Sequence, residues 1–126
     1  EMKELVVSAT SEALPIEFVG PLPREKLFEL YGRSVLLFPS YVETFGLPIL
    51  EGRLHGTIVL ASDCLFSREV LKDYENAYFF NPFSSTELAA YMKGLLTGEI
   101  KYKEVTSNRV GLDCARKEIV DVLIRC

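Results

Sequence analysis

Apolar residues fall along this chain in short clusters, separated by longer stretches in which they recur every three or four positions. The clusters read as buried strands and the longer stretches as amphipathic helices. Ile16 to Val19 is the first cluster, closed by Gly20-Pro21. Val35 to Phe38 is unbroken and ends at Pro39. Thr57 to Ala61 and Ala77 to Phe80 follow, the last ended by Asn81-Pro82. Between them the pattern predicts helices over Pro23 to Tyr31, Pro48 to His55 and Ser67 to Tyr74, with a fourth from Ser84 to Thr97. Pro23 suits a first helical position, where a missing N–H costs nothing. Gly32 and Gly56 stand where helices stop. Ser84 and Glu87 have the spacing of a capping box. Two more helices are expected, over residues 2–13 and over Ser107 to Cys126. The charged run Glu99 to Glu104 reads as a solvated linker.

Strands alternating with helices through short connections imply βαβ units and a parallel sheet. The predicted class is α/β, a Rossmann-like parallel sheet with flanking helices. Continuous apolar strands suit a sheet covered on both faces. Four strands are few for such a sheet, and the chain opens inside a helix. The expectation is therefore one partial domain over residues 1–126, truncated at its N-terminal side. In open sheets of this kind the site lies at the carboxyl ends of the strands. Those ends carry Gly20 to Leu22, Pro39 to Gly46, Ser62-Asp63 and Asn81-Pro82.

Composition narrows the function. The chain has 126 residues, 48% hydrophobic and 25% charged, enough to bury a core without staples. Its net charge of −4 and lack of a basic stripe argue against a nucleic-acid binder. Cys64, Cys114 and Cys126 are widely spaced and form no metal pattern, so they read as reduced thiols. No metal site is expected. No apolar run is long enough to span a bilayer, which leaves room for peripheral membrane contact.

The informative stretch is PSYVETFGLPILEG, residues Pro39 to Gly52. A strand ends, the chain turns, and a helix begins near Leu47. Gly46 permits a positive φ and close backbone approach. The N–H groups near Phe45, Gly46 and Leu47 then face the carboxyl edge of the sheet, at a helix N-terminus that attracts phosphate. Glu43 precedes that helix and Glu51 lies about one turn into it. Two carboxylates flanking an anion site suit a ligand with both phosphate and hydroxyl-rich parts, such as a nucleotide sugar. The same glutamates also read as a solvated loop residue and a surface helix former.

The stretch LLFPSYVETFGLPILEG resembles the signature of the GT-B retaining glycosyltransferases of family 4, the glycosyl transferases group 1 family, with its E-x7-E motif. IEFVGPLPREKLFELYGRS, GTIVLASD and REVLKDYENAYFFNPFSSTELA resemble the family's flanking segments, in order, over residues 16–97. The resemblance implies two facing Rossmann-like domains, of which this chain is the later part of the C-terminal, donor-binding one. It implies sugar transfer from a UDP- or GDP-linked donor, with retained configuration, to a glycan or lipid-linked acceptor. No cofactor or metal is implied beyond that donor. A cytoplasmic location at the inner face of the membrane and a part in polysaccharide or lipopolysaccharide synthesis follow by analogy.

By the same resemblance, Glu51 holds the donor's ribose hydroxyls and Glu43 lies at the donor sugar as the catalytic carboxylate. Phe45, Gly46 and Leu47 hold the distal phosphate or the sugar, and the loop of Gly20 and Leu22 meets the nucleobase. Gly52-Arg53-Leu54-His55 departs from the small residues usual after the second glutamate. The family's Arg and Lys for the diphosphate have no counterpart here, nor does its N-terminal acceptor domain. The isolated chain is accordingly expected to have no turnover. The alternative is a non-catalytic nucleotide-sugar-binding or interaction module of the same fold. An epimerase is disfavoured by the E-x7-E spacing, and a receiver domain by the lack of an acidic cluster. His55 reads as a surface or helix-end residue with an i,i+4 relation to Glu51. Asp63 reads as a turn or cap residue and Glu69 equally as a cap or a family site glutamate. Phe79, Phe80 and Phe83 read as core.

Overall fold

A computed structural model describes residues 15–105. The helices expected over residues 2–13 and Ser107 to Cys126 lie outside the described residues. The elements run α1 (Arg24–Tyr31), β1 (Val35–Phe38), α2 (Leu47–Leu54), β2 (Ile58–Ser62), α3 (Leu65–Val70), β3 (Ala77–Phe80) and α4 (Ser85–Thr97). The three strands form one sheet in the order β1-β2-β3, with both pairings parallel. Val35 pairs with Ile58 and Phe38 with Ala61, while Val59 pairs with Ala77 and Ser62 with Phe80. The architecture is Rossmann-like α/β.

Ile49, Val59, Ala61, Leu71 and Tyr74 are buried together, with Leu36, Phe38, Phe66 and Phe79 packed around them. β2 is buried from Val59 to Ser62 because it has a strand on each side. β1 is different. Leu36 and Phe38 turn into the core, whereas Val35 and Leu37, on its other face, are exposed. Cover on both faces was expected of this strand; the described residues cover one.

Gly52 fixes how closely α2 lies on the sheet. A Cβ there would stand 2.8 Å from Leu36 Cδ2 and 3.4 Å from Val59 Cγ2. The glycine costs helix propensity, about 1 kcal/mol relative to alanine, and admits this approach. Arg53 turns inward rather than out. Its Nη1 donates to the Val70 carbonyl at 2.6 Å, at the end of α3, and its guanidinium lies 5.8 Å from the centre of the Tyr74 ring. A bulky cation at that position thus binds α2 to α3.

Thr57, Tyr74 and Asn76 are buried, and their polar groups are paired. Thr57 Oγ1 donates to the Tyr31 carbonyl at 2.5 Å, and Tyr74 OH donates to the Thr57 carbonyl at 2.6 Å. Burial pushes the Tyr74 hydroxyl up to about 12. Asn76 bonds both the N–H and the carbonyl of Lys103, at 2.9 and 2.8 Å. The run Glu99 to Glu104 is therefore exposed yet pinned to the sheet, not a free linker.

Other expectations need correction. Among the described residues Ile16 to Val19 pairs with no strand, and Ile16, Phe18 and Val19 are exposed. An apolar run becomes a strand only when a neighbour accepts its backbone bonds. α3 starts at Leu65, two residues before the expected Ser67, which is buried inside the helix. Half of the expected capping box forms. Ser84 Oγ accepts the Glu87 N–H at 3.2 Å, but the Glu87 carboxylate takes the Asn81 N–H at 3.0 Å. Phe79 and Phe80 pack inward as expected, whereas Phe83 is 79% exposed. It stands beside Tyr41, ring centres 5.2 Å apart, linking the loops after β3 and β1.

Candidate functional site

The chain leaves β1 at Phe38, turns through Pro39 to Phe45, and enters α2. Gly46 makes the turn possible. Its φ of 59° is left-handed, and its buried backbone offers the carbonyl that accepts the N–H groups of Ile49 and Leu50. A side chain there would meet Ile49 and Phe66 at 3.2 Å. The N–H groups of Phe45, Gly46 and Leu47 have no acceptor among the described residues. They are donors at the positive end of a helix, at the carboxyl edge of the sheet. The Phe45 and Leu47 side chains are exposed around them, Phe45 by 74%.

The two glutamates are held differently. Glu43 is exposed and curls back, so that its Oε1 accepts the N–H of the adjacent Thr44 at 2.9 Å. Ser40 Oγ donates to the Val42 carbonyl at 3.0 Å and steadies the same turn. Glu51 is gripped from another helix. Arg24 Nη2 donates to Oε1 at 2.8 Å, and Tyr31 OH points to Oε2 at 3.4 Å. The Glu51 side chain keeps 20% of its exposure and Arg24 keeps 68%. Burial first, and then the neighbouring Glu51 charge, push the Tyr31 hydroxyl up to about 12. The two glutamates share no partner among the described residues.

His55 reaches Glu51 by the expected i,i+4 relation, but through the backbone. Its Nδ1–H donates to the Glu51 carbonyl at 2.8 Å, and its ring lies against Phe28 and Tyr31, with centres 4.7 and 5.6 Å away. That is the helix-end role expected of it. Asp63 is occupied by two bonds from Arg68, Nε at 2.7 Å and Nη2 at 2.8 Å, which hold its carboxyl below the usual range. The Arg68 guanidinium also lies 4.0 Å from the centre of the Phe79 ring. Asp63 thus closes its own turn. Glu69 is exposed within α3, and no hydrogen bond reaches its carboxylate among the described residues. Gly20, with φ 63°, and Leu22 are exposed in the loop that leads through Pro23 into Arg24.

Arg24 and Tyr31 are the site residues that sequence reasoning missed. One signal was there. A basic residue opens α1, where a helix favours acids, so its charge needs an offset elsewhere. Among the described residues no three His, Cys, Asp or Glu side chains gather to hold a metal ion. No helix among them is long and apolar enough to cross a membrane.

Comparison with known proteins places the chain in a family. The profile of the family described as Glycosyl transferases group 1 matches residues 3–109. Proteins named serotype-specific mannosyltransferase WbdA, from Escherichia coli, are 36% identical over 92 residues, covering 72% of this chain and 11% of theirs. A D-inositol 3-phosphate glycosyltransferase from Nocardia farcinica is 43% identical over 49 residues, 38% of this chain and 11% of that protein. The chain thus spans about a tenth of the length of these relatives.

Proposed function

The chain belongs to the group 1 glycosyl transferases, and we propose that it supplies the donor side of a GT-B active site that moves a sugar from a UDP- or GDP-linked donor. One observation carries the reading. Among the described residues the backbone N–H groups of Phe45, Gly46 and Leu47 have no acceptor, and along the chain they fall between two carboxylates, Glu43 and Glu51, that are not fully buried. Phosphate suits the first and sugar hydroxyls the second.

In this reading the N–H groups and the start of α2 take the distal phosphate or the sugar. Glu51 accepts the ribose hydroxyls, and the loop of Gly20 and Leu22 lies along the nucleobase. Glu43 stands at the donor sugar, where a negative charge stabilises an oxocarbenium-like transition state. The anomeric carbon exchanges its bond to the diphosphate oxygen for one to the acceptor oxygen. The acceptor hydroxyl gives its proton to the departing diphosphate oxygen, and the nucleoside diphosphate leaves. Relatives named mannosyltransferase support a hexose as the transferred sugar. The acceptor is a glycan or a lipid-linked one, met at the cytoplasmic face of a membrane during polysaccharide synthesis. A facing N-terminal domain of the same enzyme supplies the acceptor side, so the isolated chain has no turnover.

Calorimetry with the full-length enzyme tests this. UDP or GDP binds, and Glu51→Ala weakens that nucleotide by roughly 10-fold or more, the scale of a lost charge-assisted hydrogen-bond pair. Failure of both nucleotides to bind folded enzyme would remove the donor-site reading.

A further inference from the structure

We propose that Arg24 is a positioning residue for the donor site, holding the Glu51 carboxylate in the orientation that accepts the vicinal hydroxyls of the donor's ribose. The inference rests on the donor-binding reading of Glu51 given above.

Arg24, Phe28 and Tyr31 are spaced i, i+4 and i+7, one stripe along α1. The stripe faces Glu51. Arg24 bonds Oε1 at 2.8 Å, Tyr31 points at Oε2 from 3.4 Å, and the Phe28 ring lies beneath the Arg24 guanidinium, 5.2 Å from its centre. Each carboxylate oxygen thus has one partner from α1. A carboxylate has about four acceptor positions, so a free one remains on each oxygen. Two free positions side by side are what a vicinal diol requires, and the residual exposure of Glu51 leaves them reachable.

The pair is poorly suited to a purely stabilising role. Its arginine is mostly exposed, and such pairs add little to stability. It also sets a cation at the positive end of α1, against the helix dipole. What the pair does supply is a fixed carboxylate direction. It supplies a link as well. Arg24 follows directly on Pro23, whose φ of −57° is set by its ring, and so on the loop Gly20 to Leu22. The segment that would meet the base and the carboxylate that would meet the ribose are joined through one guanidinium, across 27 positions of sequence.

The test uses full-length enzyme, UDP and GDP, and the 2′,3′-dideoxy form of whichever binds. Arg24→Ala is expected to weaken that nucleotide roughly 5- to 20-fold, within the range for coupled neighbours. It should raise donor KM rather than lower kcat, and Arg24→Lys should recover part of the loss. The double variant with Glu51→Ala should bind no more weakly than Glu51→Ala alone, and the dideoxy nucleotide should show no Arg24 effect. An equal loss with the dideoxy nucleotide, or additive losses in the double variant, would overturn the proposal by placing Arg24 on the donor itself. If Glu51→Ala weakens binding and Arg24→Ala does not, the positioning role falls and the donor reading stands. If Glu51→Ala changes nothing, the donor reading falls first.

Discussion

Glu43 and Glu51 have the same side chain and lie on the two sides of one turn, yet the fold treats them oppositely. Among the described residues Glu43 bonds only the next N–H along its own loop. Glu51 sits in a helix packed on the sheet and is held by a second helix through Arg24 and Tyr31. One carboxylate is locally steadied and open; the other is braced from a distance. A group that must meet a changing sugar during reaction benefits from openness. A group that must recognise an unchanging ribose benefits from bracing. In the proposed function, the loop carries the chemistry and the helix the recognition.

The sharpest way to break the contrast is Glu43→Gln. In the full-length enzyme it is expected to lower kcat about 100-fold or more, the scale of losing a preorganised charge at a reacting centre. The melting temperature should stay where it is, because the exposed side chain bonds the neighbouring Thr44 N–H, within its own loop. Steady-state rates and a thermal melt check both parts, and a kcat within a few-fold of the parent would reduce Glu43 to a loop residue.

Gly46 joins the two regions. Gly46→Ala forces a Cβ into left-handed backbone and within 3.2 Å of Ile49 and Phe66. Denaturant unfolding should show a loss of about 1–2 kcal/mol. A smaller loss would mean that the turn relaxes without its left-handed hinge.

Arg53 lies on the same helix as Glu51 but serves packing. Arg53→Ala should cost about 1 kcal/mol, from the hydrogen bond to Val70, and leave nucleotide affinity unchanged. A change in affinity without a change in stability would extend the recognition region to a residue placed outside it.

The finest distinction is electrostatic. Tyr31 titrates near 12 rather than its ordinary 10.0, with burial the larger cause and Glu51 the next. Glu51→Gln should therefore bring the Tyr31 titration down, though not fully to 10.0, and Glu43→Gln should leave it alone. Ultraviolet titration of the phenolate reads both. The fold favours neutral Tyr31. Its contribution to stability is whole below pH 10 and is lost as pH rises through about 12. Tyr31→Phe should remove that share of alkaline unfolding, leaving the share from Tyr74, which also titrates near 12.

Much of this was legible in the chain. Val35 to Phe38 and Ala77 to Phe80 are strands where the apolar runs stand, because a parallel strand needs little beyond continuous apolar character. β2 runs one residue later than its pattern, since the Thr57 N–H goes to the Gly52 carbonyl at 2.9 Å and its carbonyl takes the Tyr74 hydroxyl at 2.6 Å. The turn, Gly46 and the helix after it were readable because each depends on neighbours in sequence. Ile16 to Val19 was misread because a strand is made by its partner. The grip on Glu51 was hidden for a related reason. A bond across 27 positions has no local signature beyond a cation at the wrong end of a helix. Phe83 carried the apolar signal of a core residue but falls in a loop, where the chain direction turns its ring outward to Tyr41.

Where α2 crosses β1, the space a methyl group would need at position 52 is already filled by the end of the Leu36 side chain. Positions 36 and 52 therefore share one volume. Trimming position 36 to valine removes the Cδ2 that an alanine at 52 would meet, and alanine has the helix propensity that glycine gives up. Two residues sixteen apart in the chain are thus coupled, and a methyl at 52 requires the end of the Leu36 side chain to give way beneath the helix that carries Glu51.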